Sequence, residues 1–216
     1  MKKFFLLCLL LVGGLCFAVW LIFQAQDMEN LGGRSEADRA TRPVDVPALI
    51  ETAALRSRQS VVLTEREVNT WLANQVRPVQ EGVLSDKVKL TGVWLRFEKT
   101  GGGRCEIILE REIDGKYPQT VSLFVKVERK KKANGTYTTQ IRKDGGNFLG
   151  FIPIGGRFGQ LTLPQGFLLF TSASFDALTT LFQQELELIE QGIIRRGGGK
   201  ISFEDGEVHI DFPSED

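Results

Sequence analysis

Apolar and polar residues alternate along this chain with three distinct rhythms, and each rhythm predicts a different element. Phe4 to Phe23 has no rhythm at all: it is a run of twenty uncharged residues, long enough as a helix of about 30 Å to cross a bilayer. Asp27 to Val44 is polar and glycine-bearing with one proline, and reads as a tether. Steps of three and four then place Val68, Trp71, Leu72 and Val76 on one face of a helix. That helix opens with Thr64-Glu65-Arg66-Glu67, a capping box, and follows a brief extended stretch, Val61-Val62-Leu63. Asp45, with Pro47 two places on, predicts a shorter helix from Pro47 to about Arg58. The longest stripe of helical period comprises Phe175, Leu178, Phe182, Leu186 and Ile189. Ser174 can cap this helix, and Gly192 stands where a left-handed ending belongs.

From Lys87 to Lys143 the period is two. Lys87 to Glu98 and Arg104 to Ile113 flank Thr100-Gly101-Gly102-Gly103. A turn centred on Gly101 sets Val93 against Leu109, Leu95 against Ile107 and Phe97 against Cys105 on one face. On the other face it sets Arg96 against Glu106, Glu98 against Arg104 and Trp94 against Ile108. A second turn, centred on Lys116, sets Ile107 against Val125 and Leu109 against Leu123. Its outer face then has Glu106 against Lys126, Arg104 against Glu128 and Ile108 against Phe124. Thr136 to Lys143 adds a fourth strand, with Tyr137, Thr139 and Ile141 facing in. The expectation is an antiparallel meander with one dry face and one charge-laddered face. Lys200 to Phe212 predicts a closing hairpin over Asp205-Gly206, with Ile201, Phe203, Val208, Ile210 and Phe212 on its apolar side.

Composition narrows the function classes. Lys and Arg number 27, as do Asp and Glu, so formal net charge is zero and no whole-molecule argument for nucleic acid arises. Cys8 and Cys16 sit in the apolar run, which leaves Cys105 alone in the folded part. An internal disulfide and a cysteine-rich zinc site are thereby excluded. His209 is the single histidine and falls on the polar side of the closing hairpin with Glu207 and Asp211. Ser172 and Ser174 lack a nucleophile elbow, and neither Gly101-Gly102-Gly103 nor Gly197-Gly198-Gly199 continues as a phosphate loop. No catalytic residue, metal ligand or cofactor site is proposed, and the chain is read as a non-enzyme. Arg129-Lys130-Lys131-Lys132 reads as a solvated hairpin tip, with contact to anionic lipid as its functional alternative. Lys2 and Lys3 precede the apolar run, while Asp27 and Glu29 follow it. The positive-inside tendency then keeps the N-terminus cytoplasmic and the domain outside. A cleaved signal peptide is the rival, though Cys16-Phe17-Ala18 is a poor cleavage pattern and the apolar run continues through Trp20.

The order of these parts resembles the YpmS-like and LmeA-like bacterial envelope proteins. The resemblance rests on Leu63-Thr64-Glu65-Arg66-Glu67-Val68-Asn69-Thr70-Trp71-Leu72, the meander, Phe158-Gly159-Gln160-Leu161-Thr162-Leu163-Pro164, the long helix and the final hairpin. It implies a TULIP-like (tubular lipid-binding) fold, in which a curved antiparallel sheet wraps a long helix around an apolar groove. The architecture expected is therefore α+β: a transmembrane anchor at 1–26, a tether at 27–44, and one extracytoplasmic domain at 45–216. Its function would be to hold a lipid or other apolar ligand between sheet and helix, lined by Leu95, Phe97, Ile107, Leu123, Val125, Phe175, Leu178 and Phe182. The alternative is an envelope interaction or scaffold module with a filled core, which docks a protein partner or the membrane through the outer row Trp94, Ile108 and Phe124.

Overall fold

A computed structural model describes residues 2–57, 60–75, 87–100, 102–131, 137–148, 152–165, 187, 189 and 199–212. Helix α1 spans Lys2–Phe23 and buries none of its residues. Ser35 caps the short α2, Glu36–Ala40, by accepting from the Asp38 N–H. Asp45 caps α3, Val46–Glu51, which continues as a π-helical turn over Thr52–Ser57. Strand β1, Val61–Thr64, leads into α4, Glu65–Gln75. The capping box forms as expected: the Thr64 N–H donates to Glu67 Oε2 at 2.8 Å, and the Glu67 N–H donates to Thr64 Oγ1 at 3.3 Å. Nine further strands follow among the described residues: β2 (Val88–Glu98), β3 (Arg104–Ile113), β4 (Tyr117–Lys131), β5 (Tyr137–Lys143), β6 (Asn147–Phe148), β7 (Ile152–Phe158), β8 (Leu161–Pro164) and the hairpin β9 (Lys200–Glu204) and β10 (Glu207–Asp211). The architecture is thus α+β, an apolar N-terminal helix followed by a large antiparallel sheet with few helices. The stripe from Phe175 to Leu186 lies outside the described residues; Ile189, its last member, is buried.

The large sheet runs β2-β3-β4-β7-β6, with β5 on β4 and β8 on β7; a smaller one runs β1-β10-β9. The β2–β3 register is the expected one, from Val93 opposite Leu109 to Glu98 opposite Arg104, with a bulge between Leu90 and Gly92. The β3–β4 register needs correction. Ile107 faces Leu123, Leu109 faces Val121, Glu106 faces Phe124 and Ile108 faces Ser122, a slip of two residues from the expected pairing. The cause is local. Asp114 and Gly115 take φ of 51° and 65°, so the turn is built on this Asp-Gly pair rather than on Lys116. A slip of two preserves which face each side chain occupies, because the period of a strand is two.

The inner face of the large sheet packs against α3, α4 and the small sheet in one apolar core. Its outer face is covered around Trp94 and Ile108, whereas Glu128 and Arg142 on β4 and β5 remain partly exposed. Met28 and Leu31, from the segment expected to be a free tether, form a second buried cluster with Trp94 and Ile108. The Gln26 N–H donates to Thr120 Oγ1 at 3.0 Å, and Arg34 pairs with Glu110 at 2.8 Å. Gly159, at φ 53°, lies so close to the end of α1 that a Cβ there would strike the backbone carbonyls of Leu21, Ile22 and Gln24. The Gln160 N–H donates to the Leu21 carbonyl at 3.0 Å. Apolar helix and sheet are therefore joined by direct contact.

Candidate functional site

Two side chains of α4, one turn apart, fix the helix against the edge of the large sheet. Asn69 Oδ1 accepts from the Leu95 N–H at 2.7 Å while its Nδ2 donates to the Leu95 carbonyl at 2.8 Å, the two bonds a neighbouring strand would supply. Glu65 accepts the Phe97 N–H at 3.0 Å, the Phe97 carbonyl accepting instead from the Gly206 N–H at 3.1 Å, and its second oxygen takes the Gly32 N–H at 2.9 Å. At Leu95 and Phe97, the free edge of β2 is thereby bonded by side chains of α4 where a neighbouring strand would otherwise pair. The polar half of the Leu63–Leu72 motif has a structural role, and Asn69, which shows no partner in sequence, has three.

Beside this clamp lies an apolar pocket of about 140 Å³. Leu95, Phe97, Ile107 and Val125 line the pocket from the sheet. Leu123 is buried in the surrounding core but is not part of the lining. Phe175, Leu178 and Phe182 lie outside the described residues. Trp71 and Ile50 complete the lining from the helices, Phe203 and Ile210 from the small sheet, and Ile141 from β5. Sequence reasoning placed all five of these in apolar faces or predicted elements but not at one site, because nothing local shows that the first and last strands pair and lie over α4 and the meander. Its walls are almost wholly apolar, so it favours an apolar occupant over water.

Two groups near the apolar face differ from their surroundings. Cys105 is buried, and burial pushes its thiol well above its ordinary value, so it is a core residue and no nucleophile. Arg111 continues the inner row of Ile107 and Leu109 and stands between Leu90 and Gln119. It is only 6 % exposed, and neither its Nε nor its Nη2 finds a hydrogen-bond partner among the described residues. Burial pushes its pKa down to about 10, which still leaves it charged at neutral pH. The signal was present in the alternation, which sets one arginine in line with aliphatic residues.

The outer row is corrected. Trp94, Ile108 and Phe124 are 5 %, 0 % and 1 % exposed and do not form an open docking surface. Met28 and Leu31 cover the first two; the guanidinium groups of Arg104 and Arg157 lie 4.1 Å and 5.1 Å from the Phe124 ring centre. Beside them Glu106 is fully buried, taking a hydrogen bond from the Ser122 hydroxyl and facing Arg96 at 3.4 Å and Arg157 at 3.5 Å. Burial raises the Glu106 pKa despite both arginines. His209 touches only Glu207, at 3.0 Å, as a half-exposed strand pair. Among the described residues no group of three His, Cys, Asp or Glu is placed to hold a metal ion.

No protein-family model matches this chain, and no curated protein does.

Proposed function

We propose that this chain is a membrane-anchored, non-enzymatic envelope protein whose domain holds a lipid-like apolar ligand against the inner face of its large sheet. The observation that carries the reading is the apolar pocket itself, about 140 Å³ between the inner face of the large sheet, the helices and the small sheet. Protein interiors normally close-pack, so apolar space left unfilled beside a core is a candidate binding site. Its walls are aliphatic and aromatic, which suits an acyl chain and excludes a polar substrate. An acyl chain also suits a domain joined directly to an apolar helix, since the bilayer would be its source. The rival reading, a docking module, has lost the exposed row it required.

Native mass spectrometry of the full chain, released from mild detergent, tests the reading. The expected result is a co-purified acyl-chain molecule that disappears from a cavity-filling variant, Val125→Phe, which keeps the fold. Absence of any such adduct, together with a Val125→Phe variant that is simply more stable, would make the cavity an ordinary packing void and remove the proposal.

A further inference from the structure

We infer that a polar pocket at the foot of α1, on the outer face of the large sheet, receives the head of a bilayer phospholipid. Arg96 and Arg157 take its phosphate, and Asp27 takes a terminal amine. The inference goes beyond the apolar-ligand reading, whose pocket is on the opposite face, and shares with it only the membrane anchor. The polar pocket measures about 590 Å³, and Gln26, Asn30, Gln160 and Thr162 complete its lining. That size is within the range of small-molecule sites. Both arginines are half-buried and fixed from behind. They meet the buried Glu106 at 3.4 Å and 3.5 Å, and Arg96 also donates to the Asp27 carbonyl at 2.6 Å. Arg157 lies 3.8 Å from Glu98, which Arg104 already engages. Among the described residues three guanidinium groups thus share two carboxylates, and burial holds Glu106 back from ionising. One positive charge is left over, which the single negative charge of a phosphodiester matches. Asp27 stands outside this pairing, its carboxylate accepting the Glu29 N–H at 3.0 Å. A cationic wall beside an anionic one suits a zwitterion.

Position supports the same assignment. Helix α1 ends at Phe23, and Gln26 and Asp27 follow within four residues. Gln160 ties another wall of the pocket to the same place. Its backbone N–H donates to the Leu21 carbonyl at 3.0 Å, and its Nε2 donates to the Ala25 carbonyl at 3.3 Å. Thr162 stands opposite Arg157 across the β7–β8 pair, so the guanidinium belongs to the same tied hairpin. With α1 across the bilayer, the hydrocarbon ends near Phe23 and the headgroup layer, roughly 5–7 Å deep, begins. The pocket is therefore held at the depth where lipid phosphates and amines are concentrated. Guanidinium groups are weakly hydrated and prefer planar oxyanions, which favours a phosphate over the water it displaces.

The test uses the full chain in nanodiscs of equal parts dioleoyl phosphatidylethanolamine and dioleoyl phosphatidylcholine. Native mass spectrometry then counts the lipids that leave the disc with the protein. Both carry the phosphate, but only ethanolamine has N–H groups to give Asp27, so it should be retained about two- to fivefold over choline. Asp27→Asn should remove that preference. Arg157→Gln should lower both adducts roughly tenfold, the size of one charge-assisted hydrogen bond. Thr162→Phe, which crowds the pocket and leaves the ion pairs of Arg157 in place, should do the same and covers the case in which Arg157→Gln does not fold. Val125→Phe should leave the ethanolamine preference intact, so failure of the apolar-ligand reading and failure of this one are read separately. Equal retention of the two lipids by the parent chain overturns the inference, as do adducts unchanged by Arg157→Gln and Thr162→Phe. Displacement of the lipid by water-soluble glycerophosphoethanolamine would make a dissolved phosphodiester the ligand and overturn the bilayer as its source.

Discussion

Glu106 shows at the scale of one residue how burial and pairing compete. Ser122, Arg96 and Arg157 all favour its ionised form, yet full burial outweighs them and the pKa rises above the ordinary 4.5. The folded chain thus holds this proton more tightly than the unfolded chain does. The contribution of the group to stability is complete below the ordinary carboxylate range and is lost as pH rises through the folded-state value. Urea titrations of the full chain in non-ionic detergent should therefore show a stability advantage of the parent over Glu106→Gln that shrinks from about pH 4 upward. An advantage that grows with pH would mean that the two arginines win instead. Asn69 makes the opposite kind of case, a neutral side chain whose three bonds are all made in the interior. Asn69→Ala would strand the Leu95 N–H and carbonyl, and at about 1–3 kcal/mol for each buried orphan it should cost at least about 2 kcal/mol in the same titration. A loss under about 0.5 kcal/mol would show that water replaces the clamp.

Elements inherit their legibility from how local their causes are. The β2–β3 hairpin is readable because four opposite pairs of apolar residues and two of opposite charge agree on one register around Gly101. The β3–β4 hairpin was misplaced by two residues because Asp114-Gly115, the pair able to take left-handed φ, was passed over for the midpoint of the loop. Faces survived that error and partners did not, so the inner lining of the site was legible while Glu106 was given the wrong neighbour. The cover over Trp94 and Ile108 was hidden for a different reason. Met28 and Leu31 are two apolar residues in a polar stretch, too few to show a period, and they bury surface only after the chain has folded back. The junction of α1 with the β7–β8 turn is equally non-local and offers its own test. Gly159→Ala demands left-handed backbone from a residue with a Cβ, at about 1 kcal/mol, and drives that Cβ into the Leu21–Gln24 carbonyls. Hydrogen exchange should quicken at the amides of residues 24–31 and stay unchanged at 105–109. Equal quickening in both would show that the junction and the core open as one unit.

For the whole molecule, α1 is a helix long and apolar enough to cross a membrane, and it also carries most of the exposed large hydrophobic side chains among the described residues. Of the large hydrophobic side chains exposed among the described residues, Leu49, Val62 and Tyr117 alone lie outside α1. A soluble chain does not leave some twenty contiguous apolar residues uncovered, and this helix, about 33 Å long at 22 residues, matches the thickness of a bilayer core. With Lys2 and Lys3 ahead of it, the domain is expected on the far side from the cytoplasm. The cysteines make this easy to test without removing any of them. Cys8 and Cys16 lie within α1, and Cys105 is buried, so none should react with a membrane-impermeant maleimide in intact cells. A new cysteine at Lys116→Cys, in the exposed turn between β3 and β4, should then be labelled from outside before permeabilisation. It should remain with the membrane fraction through carbonate extraction. Labelling only after permeabilisation would invert the topology, and recovery of the labelled chain in the soluble fraction would show that α1 is removed. Removal of α1 would also take away the bilayer as the source of the ligand, because the sheet is tied to α1 and the residues just after it through Gly159, Gln160 and Thr120.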